Sequence, residues 1–382
     1  MSKSQPDQSE KIKIFFPNLD GLRFFSFMGV FFAHIFFTEN EGVKNSAWYL
    51  FFKGRLFPDG DLGVGFFFVL SGFLITYLLL KEQELTGKIR IGNFYIRRTL
   101  RIWPLYYFCV FFGFVIFPVL KSYFGQVPNE TASPVLCSTF LNNFDRMLHG
   151  SPDSHVLSVL WSVGIEEQFY VLWPILFAFV PARYYYLNFI VIISMSLTYR
   201  FLYPHAQIDL NTIGVISDMA IGGCGAYLAS RIPRFMGVFQ KIPQYFHIIP
   251  YAVVILLVFY RYQIFASPAL VIFKRVIESF FFIWIIMDQN FSLRNSYKVS
   301  NLKWISWLGK YTYGLYCLHT IAGLVMIVVL SKLHLNNYSW QLWFIQMPLT
   351  LGLSIFFAWF SFTYFESWFM KLKSKFAFIV KE

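Results

Sequence analysis

Apolar residues recur along this 382-residue chain in long runs that carry no polar face. The stretch "YAVVILLVFY" (251–260) is representative: it shows no alternation of apolar and polar positions, which excludes the strands of an outer-membrane barrel. As a helix, a run of about twenty such residues crosses a hydrocarbon core about 30 Å thick. The pattern predicts an all-α, polytopic membrane protein with about ten transmembrane helices. Their expected positions are 19–38, 62–80, 102–120, 160–180, 185–203, 212–230, 248–260, 269–287, 311–330 and 340–362, with 248–260 the shortest.

Composition agrees with this. Of all residues 57% are hydrophobic, 22% aromatic and 14% charged, where a soluble domain carries roughly a quarter charged. The net charge of +12 would suit a nucleic-acid partner, but the placement of the basic residues points to a bilayer instead. With the N-terminus inside, the inside segments hold 21 of the 32 Lys and Arg, as the positive-inside rule expects. Both termini are then cytoplasmic. Three parts follow: an N-terminal tail at 1–18, a membrane domain at 19–362 and a basic C-terminal tail at 363–382. The polar start, with no small-residue cleavage site after the first apolar run, reads as a retained tail and not as a signal peptide. No CxxC or HExxH spacing argues for a metal, no internal repeat is evident, and the longest outside loop, about 121–159, is too short for a soluble domain.

Ionisable residues inside predicted spans are the unusual feature, because a charge at depth is costly and faces the bundle interior or a wet cavity. The first span, "NLDGLRFFSFMGVFFAH" (18–34), carries Asp20, Arg23 and His34. Arg23 and His34 are eleven residues apart, near three full turns, so they share a face about 16 Å apart along the axis. The stretch "FYIRRTLRIWPLYY" (94–107) places Arg97, Arg98 and Arg101 where an inside loop becomes the third helix. Arg98 and Arg101 lie one turn apart, and paired guanidinium forks suit phosphate. The stretch "WSVGIEEQFYVLWP" (161–174) brings Glu166 and Glu167 into the fourth helix at about the depth of His34, which makes Glu166 a natural partner for the imidazole. His319 falls near the middle of the ninth span, and Ser71–Gly72 within the second.

Each of these patterns also has a structural reading. Asp20 and Arg23 can cap a helix at the headgroups, the arginines can anchor anionic lipid, and Glu167 can pair internally. Ser71–Gly72 can serve close helix packing, and His319 can be hydrogen-bonded scaffolding. Lys274, Arg275 and Glu278 in the eighth span and Asp218 in the sixth read as interior ion pairs.

Taken in order, "LDGLR" with a histidine eleven residues after its arginine, "GVGFFFVLSGFLIT", "RRTLRIWPLYY", "WSVGIEEQFYVLWP" and "LGKYTYGLYCLH" resemble the acyltransferase-3 family of integral membrane O-acyltransferases. The resemblance runs from about Asn18 to the tenth span. One departure is visible: family members commonly read Trp-Ser-Leu-Ser-Val-Glu where this chain has Trp161-Ser-Val-Gly-Ile-Glu166. The resemblance implies transfer of an acyl group, usually acetyl, from acyl-CoA to a hydroxyl on an exported glycan or glycolipid, in a bacterial inner membrane. It assigns the essential histidine and arginine of the first helix to His34 and Arg23, and the paired arginines of the third to Arg98 and Arg101. It leaves the acceptor open.

The expected mechanism follows from the two readings together. Arg97, Arg98 and Arg101 hold the phosphates of cytoplasmic acyl-CoA, whose arm threads past Arg23 and Asp20 to His34, the general base. Glu166 orients that ring or meets the acceptor, while Glu167, Ser71, Trp161 and His319 are candidate substrate contacts. The rival is a proton-coupled transporter or lipid-linked sugar flippase, in which His34 and Glu166 would relay protons.

Overall fold

The computed structural model describes residues 16–376 apart from 37, 39, 205 and 206, and every regular element among them is helical. The long helices are α1 (Pro17–Ile35), α2 (Asp61–Thr86), α3 (Ile91–Phe111), α4 (Trp161–Phe179) and α5 (Tyr185–Leu202). They continue with α6 (Thr212–Arg231), α7 (Gln244–Ile264), α8 (Pro268–Phe291), α9 (Thr312–Lys332) and α10 (Met347–Phe360). Each expected span overlaps one of these, and the short span at 248–260 is in fact the 21-residue α7. Most of the expected N-terminal tail, and residues 377–382, lie outside the described residues.

By length and composition, seven helical stretches among the described residues are apolar enough to cross a membrane. The long helices not among them are α1, α4 and α8. These are the three that carry Asp20 with Arg23, Glu166 with Glu167, and Lys274 with Arg275 and Glu278. Their polar residues lower their hydropathy because they face protein: Asp20, Glu167, Arg275 and Glu278 are all buried. In α8, Arg275 Nε lies 3.3 Å from Asp218 of α6, and Lys274 Nζ lies 3.4 Å from Asp61 of α2, the interior pairing that the sequence suggests.

Small residues set the tightest contact, between α2 and α6. A Cβ on Gly72 would stand 2.0 Å from the Met219 carbonyl oxygen, and one on Gly222 would stand 2.0 Å from that of Val69. The backbones touch, as small residues allow in helix pairs. Beside this contact the buried Trp173 of α4 donates its indole N–H to Thr76 of α2 at 2.7 Å. The helix Lys303–Gly309 packs as closely against the start of α1, where a Cβ on Gly309 would meet the Asp20 carbonyl oxygen at 1.9 Å. With α3 and α9, the helices α1, α2 and α4 surround an interior space.

Candidate active site

That space is a cavity of about 660 Å³ enclosed mainly by α1, α2, α3, α4 and α9. Each helix contributes a stripe spaced by three or four residues, as one helical face must. Asp20 and Arg23 come from α1; Val64, Phe67, Ser71, Leu74, Leu78 and Glu82 from α2; Arg98, Arg101 and Ile102 from α3. Ser162, Glu166 and Tyr170 come from α4, and Thr312, Tyr313 and Tyr316 from α9. One end is strongly basic, with Arg97, Arg98 and Arg101 joined by Lys310 and Lys373. Along α4, Tyr170 lies under Arg98 at this end, Glu166 follows, and Ser162, two turns from Tyr170, bonds Tyr316 at the other.

Polar groups along the wall are paired with one another. Arg23 Nη1 donates to Asp20 Oδ1 at 2.5 Å. Ser71 and Tyr170 each donate to one oxygen of Glu166, at 2.9 and 3.0 Å. The Arg98 guanidinium lies over the rings of Phe94 and Tyr170, 5.6 and 5.3 Å from their centroids, which holds it flat against the wall. Arg97 instead bridges Glu82, at 3.1 Å, and the Phe376 carbonyl oxygen, at 3.0 Å, and so ties the chain after α10 to the basic end.

Successive helix positions point about 100° apart, and the triplet Glu166-Glu167-Gln168 uses this to reach three neighbours. Glu166 faces the cavity. Glu167 accepts the indole N–H of Trp103 at 2.9 Å. Gln168 donates to the Phe140 carbonyl and to Asn143 Oδ1, each at 2.8 Å, and accepts from Thr212. It braces the segment 134–149, in which Phe140 takes the uncommon φ of 59°.

A histidine pair lies beyond the Tyr316 end. His34 Nδ1 is 3.1 Å from His319 Nε2, and the rings are tilted 35° to each other. His319 Nδ1 lies 2.7 Å from the Tyr316 carbonyl oxygen and 3.2 Å from that of Leu315. Carbonyls only accept, so Nδ1 of His319 carries the proton and its Nε2 is a lone pair. His34 Nδ1–H therefore donates to His319, and Nε2 of His34 is left as a bare base. His319 is 2% exposed, whereas His34 reaches the accessible surface. Between the pair and the cavity stands Tyr316, whose hydroxyl donates to the Val159 carbonyl at 3.0 Å and accepts from Ser162 at 2.6 Å.

The sequence-predicted residues thus divide. Asp20, Arg23, Ser71, Arg97, Arg98, Arg101 and Glu166 line one cavity. His34 and His319 meet one residue layer away. Glu167 bonds Trp103, and Trp161 packs edge-on against Phe68, at 6.4 Å, behind the wall. The partner of His34 is His319 and not Glu166, which is held by Ser71 and Tyr170. Position along two helices gives no azimuth: Glu166 lies beside Tyr170 and Arg98, whereas His34 lies past Tyr316 on His319. In the Ser71–Gly72 pair both readings hold, since Gly72 packs on α6 and Ser71 faces the cavity. Tyr170, Ser162 and Tyr316 were missed, although Ser162 and Tyr170 flank Glu166 at four residues on either side and Tyr316 precedes His319 by three. Among the described residues no group of three His, Cys, Asp or Glu side chains is placed to hold a metal.

Comparison with known proteins adds the family. The profile of an acyltransferase domain, that of the acyltransferase-3 family, matches residues 16–362. The chain is 32% identical over 170 residues to the "Putative peptidoglycan O-acetyltransferase YrhL" of Bacillus subtilis, covering 42% of this chain and 23% of that protein. It is 32% identical over 175 residues to "O-acetyltransferase OatA" of Staphylococcus aureus, covering 44% of this chain and 26% of that protein. The matched stretches therefore span about a quarter of the length of these relatives. No solved structure matches. With a helical membrane-type fold, a basic-ended cavity and a profile match over nearly its whole length, the chain belongs to the acyltransferase-3 family.

Proposed function

We propose that this protein is a multi-pass O-acyltransferase that moves an acyl group, acetyl first of all, from cytoplasmic acyl-CoA to a hydroxyl of a glycan or glycolipid at the opposite face of the bacterial inner membrane. In this reading all ten long helices cross the bilayer and both termini are cytoplasmic. The membrane domain spans 19–362, between tails at 1–18 and 363–382. The observation that carries the proposal is one continuous cavity with three arginines at one end and, one residue layer past the other, a histidine pair with a free ring nitrogen.

The donor's phosphates bind Arg98 and Arg101, and Arg97 joins them by releasing Glu82 and Phe376. Arg23, held by Asp20, and Glu166, held by Ser71 and Tyr170, present polar contacts to the amides of the pantetheine arm. The apolar wall between them suits its methylenes. The thioester then lies under Tyr316, and a swing of that ring brings it to His34. The acceptor oxygen attacks the thioester carbonyl carbon as His34 Nε2 takes the hydroxyl proton. The carbon–sulfur bond then breaks, and the imidazolium returns the proton to the departing thiolate. His319 holds the imidazole in the tautomer that exposes Nε2. Glu167, bonded to Trp103, ties α4 to α3, and Trp161 packs α4 against Phe68 of α2.

The test uses purified protein in detergent with radiolabelled acetyl-CoA and a mixed oligosaccharide acceptor. Label should pass to the glycan, His34→Ala should abolish transfer while leaving abundance and thermal midpoint intact, and no acyl-histidine should be trapped in a single turnover. No consumption of the thioester with any acceptor would instead support transport.

A further inference from the structure

The charges around His34 carry information about the acceptor that the donor cavity does not. Beyond His319, the charges that act most strongly on the imidazole are Lys53, Arg146 and His155, all basic. They come from three separate elements: the π-turn Phe52–Leu56, the helix Asn142–His149 and the helix His155–Val159. Lys53 Nζ donates to the carbonyl oxygen of Ala33, the residue before His34. Arg146 Nη1 reaches the Ser158 carbonyl at 3.5 Å, one residue from the Val159 carbonyl that receives the Tyr316 hydroxyl. Both cations are thus attached to the backbone that frames the histidine pair.

Carboxylates at this end are engaged elsewhere. Asp59 pairs with Arg261, Asp61 lies 3.4 Å from Lys274, Asp145 is 2.8 Å from His149, and Asp153 is 2.7 Å from Lys121. Glu130 accepts the backbone N–H groups of Ala132, Asp153 and Ser154. Among the described residues, neither Lys53 nor Arg146 has a carboxylate within ion-pair distance. Two half-buried cations therefore stand near a proton-accepting nitrogen with shared counter-ions only: Asp59 acts on Lys53 and Asp61 on Arg146 from beyond ion-pair distance, and each is already engaged by Arg261 or Lys274. Charges compensated only at a distance gain when a ligand completes them.

We infer that the acceptor is anionic: it carries a carboxylate or phosphate close to the hydroxyl that is acylated, and Lys53 and Arg146 bind that group beside His34. This rests on the acyl-transfer reading and deepens it. The anion fixes which hydroxyl meets Nε2, because two cations on different elements hold one group in one orientation.

Three probes test it by saturation-transfer NMR titration of the purified full chain: methyl glucuronide, methyl glucoside 6-phosphate and the neutral methyl glucoside. At least one anionic probe should bind about tenfold more tightly than the neutral one, and the preferred anion distinguishes carboxylate from phosphate. Lys53→Gln and Arg146→Gln should each remove most of that advantage, while Lys53→Arg and Arg146→Lys keep it, and donor KM should stay unchanged throughout. Equal binding of all three probes, no binding of any, or an advantage that survives in the double glutamine variant overturns the inference. Failure of the acyl-transfer reading shows separately, as the absence of thioester consumption with any acceptor.

Discussion

His34 Nδ1 and His319 Nε2 lie 3.1 Å apart, on helices α1 and α9 that are 285 residues distant in sequence. The Tyr316 carbonyl 2.7 Å from the far nitrogen of His319 sets the direction of every proton in this chain, and the outcome is a lone pair on His34 Nε2. His319→Ala should therefore reduce kcat about a hundredfold with little change in donor KM, since it removes the group that selects the tautomer. His319→Gln, whose amide oxygen can accept from His34 Nδ1–H, should recover part of that loss. Steady-state kinetics on both variants check this, and an alanine variant with unchanged kcat would refute it.

At the basic end, the arginines should behave as binding groups. Arg98→Ala or Arg101→Ala should raise donor KM by about tenfold to a hundredfold with a smaller effect on kcat, the range for hydrogen bonds to charged groups. Arg98→Lys should rescue only in part, because a point charge lacks the planar fork and stacks poorly on Phe94 and Tyr170. Initial rates at varied acetyl-CoA decide the matter.

Tyr316 and Ser162, both in the cavity wall, share a hydrogen bond of 2.6 Å, and in the proposed function they separate the donor from His34. Tyr316→Phe keeps the ring but deletes that bond and the one to the Val159 carbonyl. Water should then reach the thioester more often from the His34 side. Acceptor-independent hydrolysis of acetyl-CoA should rise several-fold over wild type, measured as free thiol released without glycan. An unchanged hydrolysis rate would mean that Tyr316 is not the barrier.

The α2–α6 contact gives a prediction about stability. A Cβ on Gly72 or Gly222 meets backbone at 2.0 Å, and backbone cannot rotate away as a side chain can. Gly72→Val or Gly222→Val should destabilise the protein by about 3 kcal/mol, at the upper end of the usual overpacking cost. Thermal midpoints in detergent would show the loss. Gly237→Ala, whose added Cβ meets nothing within 4 Å, is the control.

Much of this architecture was legible in the sequence, and the reason is solvent. A bilayer permits few backbone solutions, so the expected spans overlap the ten long helices among the described residues, seven of them in stretches apolar enough to cross a membrane. The same argument singles out residues of α1, α3 and α4, because an ionisable group inside a span requires an explanation, and Arg23, Arg98, Arg101 and Glu166 do line one cavity. What pattern reading could not give was azimuth. Glu166 and Glu167 look equivalent in sequence, yet one faces the cavity and the other binds Trp103. Likewise His34 and Glu166 share no bond, and the actual partner, His319, comes from a helix whose neighbours sequence periodicity does not specify. Neutral residues such as Tyr170 and Tyr316 drew no attention because their cost in a membrane is small, although they border the charged ones.

The most direct test of the central claim, that a donor bound at the arginine end is consumed by a hydroxyl activated at His34 across the membrane, is a sidedness experiment. Protein is reconstituted in one orientation into sealed vesicles, with labelled acetyl-CoA on the side of Arg98 and a methyl glycoside acceptor only on the side of His34. The account predicts labelled glycoside in the acceptor compartment, lost with His34→Gln under conditions where that variant still binds acetyl-CoA. Labelled glycoside formed only when donor and acceptor share a compartment, or formed equally by His34→Gln, would contradict it.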